Sequence, residues 1–197
     1  MSAGVISLPA ERQKGEIRLI NSLCAVLVPP ILAARRYVSP RSRPITPEEA
    51  ETRRISYAPK LGEEMELAAR EMAEFLPLDL PTLTLVPVPA STGSIEANLI
   101  LAQAIAVEYG PQARVVPALN RVVPVESSCA RRRRGLPGLT AADRKFVRVG
   151  GWFALPVFLV DNVATTGATL AAARYALGFG TGLVFADASP TYQPPTK

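Results

Sequence analysis

Residues 157–170 read VFLVDNVATTGATL, and this stretch restricts the fold more than any other in the chain. Four apolar residues in a row suit a strand covered on both faces, which occurs in parallel sheets flanked by helices. The run is expected to end at Asp161, at the carboxyl end of its strand, where open α/β sheets hold their ligands. Thr165, Thr166, Gly167, Ala168 and Thr169 then open a helix. Amides at a helix N-terminus attract an anion, glycine lets the backbone approach it, and threonine hydroxyls add donors. A phosphate suits this loop.

The flanking sequence predicts the same class of fold. Leu83 to Pro89 (LTLVPVP) has the character of a short strand, Ser94 to Tyr109 that of a helix capped by Ser94, and Ala113 to Leu119 that of a second strand. Strand, helix, strand in that order is a parallel βαβ unit. ATLAAARYALG reads as a helix ending at Gly178, and TGLVFAD as a final strand. Upstream, Leu61, Met65, Ala68, Met72, Phe75 and Leu76 share helical spacing. Ile17, Ile20, Leu23, Cys24, Leu27 and Val28 do so as well, in a helix expected to start at Ser7 and stop at Pro29 and Pro30. Between these two helices, the basic, Pro-rich segment from Arg35 to Arg54 predicts a surface connection or an ordered loop over the core.

Composition narrows the chemistry. The 197 residues contain no histidine, which excludes histidine-based triads, zinc sites and acid–base catalysis. Cys24 and Cys129 are the two cysteines and lie far apart, so neither a cysteine-only zinc site nor a disulfide framework is expected, and a reducing cytoplasm is the simplest location. The apolar stretch Leu23 to Ala34 is shorter than the roughly 20 residues that span a bilayer. A buried helix and turn are expected there rather than a signal peptide, and no membrane association. A net charge of +5 favours an anionic partner.

The familiar phosphate motifs are absent: there is no GxxxxGK[ST], and the single Gly167 cannot make GxGxxG. A carboxylate just before a phosphate loop instead suits vicinal hydroxyls beside the phosphate, the layout of a ribose 5-phosphate. VFLVDNVATTGATL resembles the phosphoribosyl pyrophosphate (PRPP) signature of type I phosphoribosyltransferases. LVPVPASTGSIEANLILAQAIA, and the spacing from Arg121 through Arg144 to Phe146, are similar to the ComF-like branch of that family. The resemblance covers roughly residues 57–187.

What the resemblance implies is specific. The fold would be an open, mostly parallel sheet with helices on both faces, formed by residues 57–197, with residues 1–56 an N-terminal helix and Pro/Arg-rich connection serving as extension or hood. Thr165, Thr166, Gly167, Ala168 and Thr169 would bind the 5-phosphate of PRPP, or of a nucleotide containing ribose 5-phosphate. Asp161 and Asn162 would meet the ribose, and Pro89, Ala90, Ser91 and Thr92 would border the pyrophosphate. Magnesium would be held near Asp161 through ligand and water. The reaction would displace pyrophosphate from C1 by a nitrogen nucleophile.

The chain departs from the family pattern at two places in the site: Asn162 replaces a second acid, and the turn ASTG carries no Lys or Arg. Both bear on turnover more than on binding, so a non-catalytic PRPP- or nucleotide-sensing module, or a DNA-associated one, is the alternative. Arg131, Arg132, Arg133 and Arg134 allow three readings: a lid closing over the site, a nucleic-acid patch, or a solvated surface run. Trp152 and Phe153 are expected in the core or at a homodimer contact.

Overall fold

A computed structural model of the chain describes residues 30–39, 43–61 and 65–189. The helix expected from Ser7 to Val28 lies outside them. The centre is a five-stranded sheet built from β1 (Ile31–Arg36), β2 (Leu83–Pro87), β3 (Ala113–Val115), β6 (Val157–Ala164) and β7 (Thr181–Asp187), in the order β1-β7-β6-β2-β3. Every pairing in it is parallel. A separate antiparallel ribbon joins β4 (Leu119–Arg121) to β5 (Phe146–Arg148). The expected α/β class and the βαβ unit are therefore present, with α3 (Glu96–Tyr109) crossing between β2 and β3.

Alternation along the strands divides the core in two. Leu83, Leu85, Phe158, Val160, Leu183 and Phe185 pack with α1 (Pro47–Leu61), α2 (Met65–Ala73) and α3. Their neighbours Val86, Val157, Leu159 and Val184 instead meet Leu170, Ala173 and Leu177 of α5 (Ala168–Leu177), together with Leu119 and Phe146 of the ribbon. The period of two explains why VFLV is apolar throughout, since each face has its own helices to cover it. Helix α2 buries Met65, Ala68, Ala69, Met72 and Ala73, which form one helical stripe.

The structure differs from the sequence reading at four places. First, Ile31–Arg36 is an edge strand paired with β7, not a turn leading into the surface connection. Its alanines have little strand preference, and close pairing at Gly182 decides the matter, because a Cβ there would lie 3.3 Å from Ile31 Cγ1. Second, the expected surface connection contains the first half of α1, which runs on to Leu61. Its start is a capping box: Thr46 Oγ1 accepts the Glu49 amide at 3.2 Å, Glu49 Oε2 accepts the Thr46 amide at 2.9 Å, and Pro47 stands at the first helical position. The division expected between residues 56 and 57 thus runs through α1, and β1 belongs to the main sheet.

Third, the strand expected from Ala113 to Leu119 is split. Pro117 has no amide to donate, and the chain turns there to leave the sheet for the ribbon. Fourth, β6 continues past Asp161 to Ala164, paired with β7 after β2 has ended at Pro87. Trp152 is 97% exposed and outside the core, whereas Phe153 packs edge-to-face on Phe179 at 5.4 Å. Among the described residues, no helix is long and apolar enough to cross a membrane.

Candidate functional site

Because β6 outruns β2, the carboxyl edge of the sheet is stepped, and a cavity of about 650 Å³ opens at the step. The turn Pro89, Ala90, Ser91 and Thr92, the pair Asp161 and Asn162, and the loop from Thr165 to Thr169 all line it. Three stretches assigned to one ligand from sequence are therefore brought together.

The loop is shaped by Gly167, which caps α5 in a left-handed conformation (φ 69°) that side chains disfavour. Having no side chain, it places no cap on the helix amides. The Thr166 hydroxyl lies 3.4 Å from the Ala168 amide, and Thr169 Oγ1 accepts a hydrogen bond from Arg144 Nη1 at 2.8 Å. An anion at this helix start would meet amides, hydroxyls and a nearby guanidinium.

Strand alternation separates the two polar residues of β6. Asn162 is buried, and its Nδ2 donates to the Ser56 carbonyl of α1 at 2.8 Å. This amide ties the strand to α1, a structural task that the sequence reading did not assign it. Asp161 is only half-buried. Its Oδ1 accepts from Asn98 Nδ2 at 3.1 Å and from the Asn162 amide at 2.8 Å, so the carboxylate is oriented by the start of α3 and by its own backbone. Asn98 Nδ2 also donates to the Val88 carbonyl at 2.6 Å, linking the turn after β2 to the strand that carries Asp161.

Two buried arginines complete the wall. Arg121 ends β4 and Arg144 precedes β5, and they are 8% and 6% exposed. Burial pushes both guanidinium pKa values below the ordinary arginine value. The charge of Arg144 adds to the effect on Arg121, while Asp161 opposes it at both and Asp143 also at Arg144. The cavity thus carries positive charge that the protein has desolvated, a setting that favours an anionic ligand.

The run from Arg131 to Arg134 lies elsewhere. Helix α4 (Ser128–Arg133) starts at Ser127, whose Oγ accepts the Ala130 amide at 3.1 Å. Arg131 Nε donates to the Pro137 carbonyl, Arg134 pairs with Glu126 at 3.2 Å, and Arg132 and Arg133 are exposed. None of these arginines lines the cavity, although Ser127 does. Of the three readings open to this run, a lid over the site is not what this structure has, and Arg132 and Arg133 lie as exposed surface residues.

Sequence reasoning gave no role to Asn98, Arg121, Arg144, Tyr37 or Tyr57, all of which line the cavity. A polar residue at the start of the apolar segment 98–106 was the available signal for Asn98. The two arginines were overshadowed by the charge run between them. Among the described residues, no group of three or more acidic or cysteine side chains could hold a metal, and Asp161 and Glu96 are the carboxylates on the cavity wall. The chain matches no protein-family model, and no curated protein matches it.

Proposed function

We propose that this chain is a PRPP-binding protein of the type I phosphoribosyltransferase kind, most similar to the ComF-like branch, that works in the cytoplasm. It transfers the phosphoribosyl group of PRPP to a nitrogen acceptor and releases pyrophosphate. The observation that carries this reading is the convergence of Asp161, the 165–169 loop and the 89–92 turn on one cavity of about 650 Å³. That volume lies within the range of small-molecule sites.

In this reading the amides and hydroxyls of Thr165 to Thr169 hold the 5-phosphate. Asp161, oriented by Asn98, accepts hydrogen bonds from the ribose hydroxyls. The acceptor nitrogen forms a bond to C1 as the bond from C1 to pyrophosphate breaks, and the bonding pair leaves with pyrophosphate. Charge builds on the leaving group, so donors fixed around the turn before the reaction contribute most to catalysis. Magnesium, when bound with PRPP, neutralises part of the diphosphate charge. Asp161 fits that ion only as a partner through water, since the described residues offer it no cage.

One observation favours a second reading, a binding module without turnover. Asn162 stands in place of a second acid and spends its amide on Ser56. The experiment that separates the two is incubation with PRPP, magnesium and a panel of nitrogen bases. Transfer predicts pyrophosphate release that Asp161→Ala abolishes. PRPP binding without release on any base supports the sensing module, and release indifferent to Asp161→Ala sinks the transferase assignment.

A further inference from the structure

Trp152 is the single tryptophan of the chain and stands 97% exposed, while the backbone on both sides of it is fixed. Gly150 and Gly151 turn the chain through φ values of 119° and 105°, a region that favours glycine, and a Cβ on Gly151 would lie 2.7 Å from Val116 Cγ1. Arg148 Nη2 donates to the Gly151 carbonyl at 3.2 Å, and its guanidinium lies 4.7 Å over the Phe153 ring, which itself packs on Phe179. Further along, the Ala154 amide donates to Thr84 Oγ1 at 2.9 Å, and the same hydroxyl donates to the Ala154 carbonyl at 2.8 Å. The loop therefore presents an indole on an ordered base, and only its two side-chain torsions remain for a partner to fix.

A second cavity, of about 330 Å³, opens beside this loop. Leu155, Pro156, Val157 and Phe179 supply apolar walls, and Arg174 from the last turn of α5 is the charged residue among the described lining. No carboxylate among the described residues forms an ion pair with Arg174. Val157 and Thr181 begin β6 and β7, so this cavity lies at the end of the sheet opposite the candidate site. Trp152 does not line it, yet Leu155 in its wall is three residues from Trp152, and Phe179 touches Phe153. An exposed aromatic knob and an apolar hole holding an available cation thus share one patch of surface. A two-fold contact between identical chains needs this combination, because each copy must offer both halves of the contact. The halves also match in charge, since the electron-rich face of an indole attracts a guanidinium.

We infer that this patch is a contact with a second copy of the chain, in which Trp152 of each copy seats in the cavity of the other, against Arg174 of the partner subunit. A buried aromatic side chain removes about 150–250 Å² from water, so two reciprocal indoles supply roughly 300–500 Å². Leu155 and Val149, three residues to either side of Trp152 and 70% and 51% exposed, add to the rim. These contacts fall short of the roughly 1,200 Å² at which stable interfaces begin, so the dimer is reversible and its population follows protein concentration. Both candidate sites face away from the contact, so dimer formation leaves them open and the inference does not depend on their ligand.

The test is sedimentation velocity on the full chain over a wide range of protein concentration, with tryptophan emission recorded on the same samples. Because the chain has one tryptophan, that emission reports on Trp152 alone. A dimer should form as concentration rises, and the emission should move to the blue with the same midpoint. Trp152→Ser should stay monomeric at every concentration. Its melting temperature should equal that of the wild type where both are monomers, since so exposed a side chain contributes little to the fold. Arg174→Met should weaken the dimer by roughly threefold. A wild type that is monomeric throughout, a dimer that survives Trp152→Ser, or emission unmoved by dimer formation would overturn the inference. Assemblies that grow beyond two copies would overturn the reciprocal arrangement, and an unweakened Arg174→Met dimer would overturn the seating in this cavity. Blue emission already present in the monomer would mean that Trp152 is covered within its own chain, and would overturn it as well.

Discussion

Asn98 and Asp161 are joined by a hydrogen bond of 3.1 Å that connects the first helix after the 89–92 turn to the strand entering the 165–169 loop. The same Nδ2 holds the Val88 carbonyl at 2.6 Å, so one amide ties both halves of the cavity together. Asn98→Leu leaves that carbonyl and the carboxylate without this donor. It should destabilise the fold by about 1–3 kcal/mol and weaken PRPP binding through a less well-oriented Asp161. Denaturant melts and calorimetry measure the two effects, and an Asn98→Leu protein of unchanged stability would remove the linking role.

Restoring an acid at 162 should not be free. Asn162→Asp replaces a buried donor to the Ser56 carbonyl with an acceptor facing an acceptor. The expected loss is roughly 2–3 kcal/mol, or a melting temperature lower by several degrees for a domain of this size. A variant as stable as the parent would mean that the link to α1 carries little.

Two glycines separate fold from site. At Gly182, an added Cβ would come within 2.8 Å of Leu170 Cδ1 and 3.3 Å of Ile31 Cγ1, between sheet and helix. Gly182→Ala should cost about 1–3 kcal/mol by overpacking. Gly167→Ala carries a left-handed backbone penalty of about 1 kcal/mol, at a helix start that lines the cavity. PRPP affinity should fall more than stability at 167 and less than stability at 182. Thermal melts paired with binding isotherms check the contrast.

The exposed arginines give a negative prediction. Arg132 and Arg133 do not line the cavity, so changing both to Ser should alter PRPP affinity less than twofold. A tenfold loss would restore the lid reading and require α4 to move over the site.

Acid should act on the segment ahead of Arg144 in a defined direction. Hydrogen bonds from the Thr140 hydroxyl at 2.7 Å and its amide at 2.8 Å hold the Asp143 carboxyl below its ordinary pKa. Its contribution is complete above the unfolded-state pKa and is lost as pH falls through the lower folded value. It is small, because the pair is solvent-exposed. A carboxyl 13C titration should give an Asp143 midpoint below that of a free aspartate, and Thr140→Ala should raise it.

The sheet and the loop that opens α5 were legible in the sequence because each rests on a local pattern. VFLV needs only its own four residues to signal a doubly covered strand, and TTGAT signals a helix start. What escaped depends on partners distant in sequence. β1 is a strand because β7 lies beside it, and ILAARR alone carries little strand preference. The α1 helix was missed for a different reason: the local capping box TPEE was present but was outweighed by nearby prolines. At the site, charge density misled. Four consecutive arginines drew the eye, whereas the two that line the cavity are single residues made significant by burial.

In the proposed reading, the cavity between the 89–92 turn and the 165–169 loop binds PRPP through Asp161. Calorimetric titration of PRPP with magnesium into the wild type and Asp161→Ala tests it most directly. Saturable binding at one site per chain, weakened at least tenfold by the substitution, is the result expected. Absence of binding to the wild type, or equal affinity in both proteins, would contradict it.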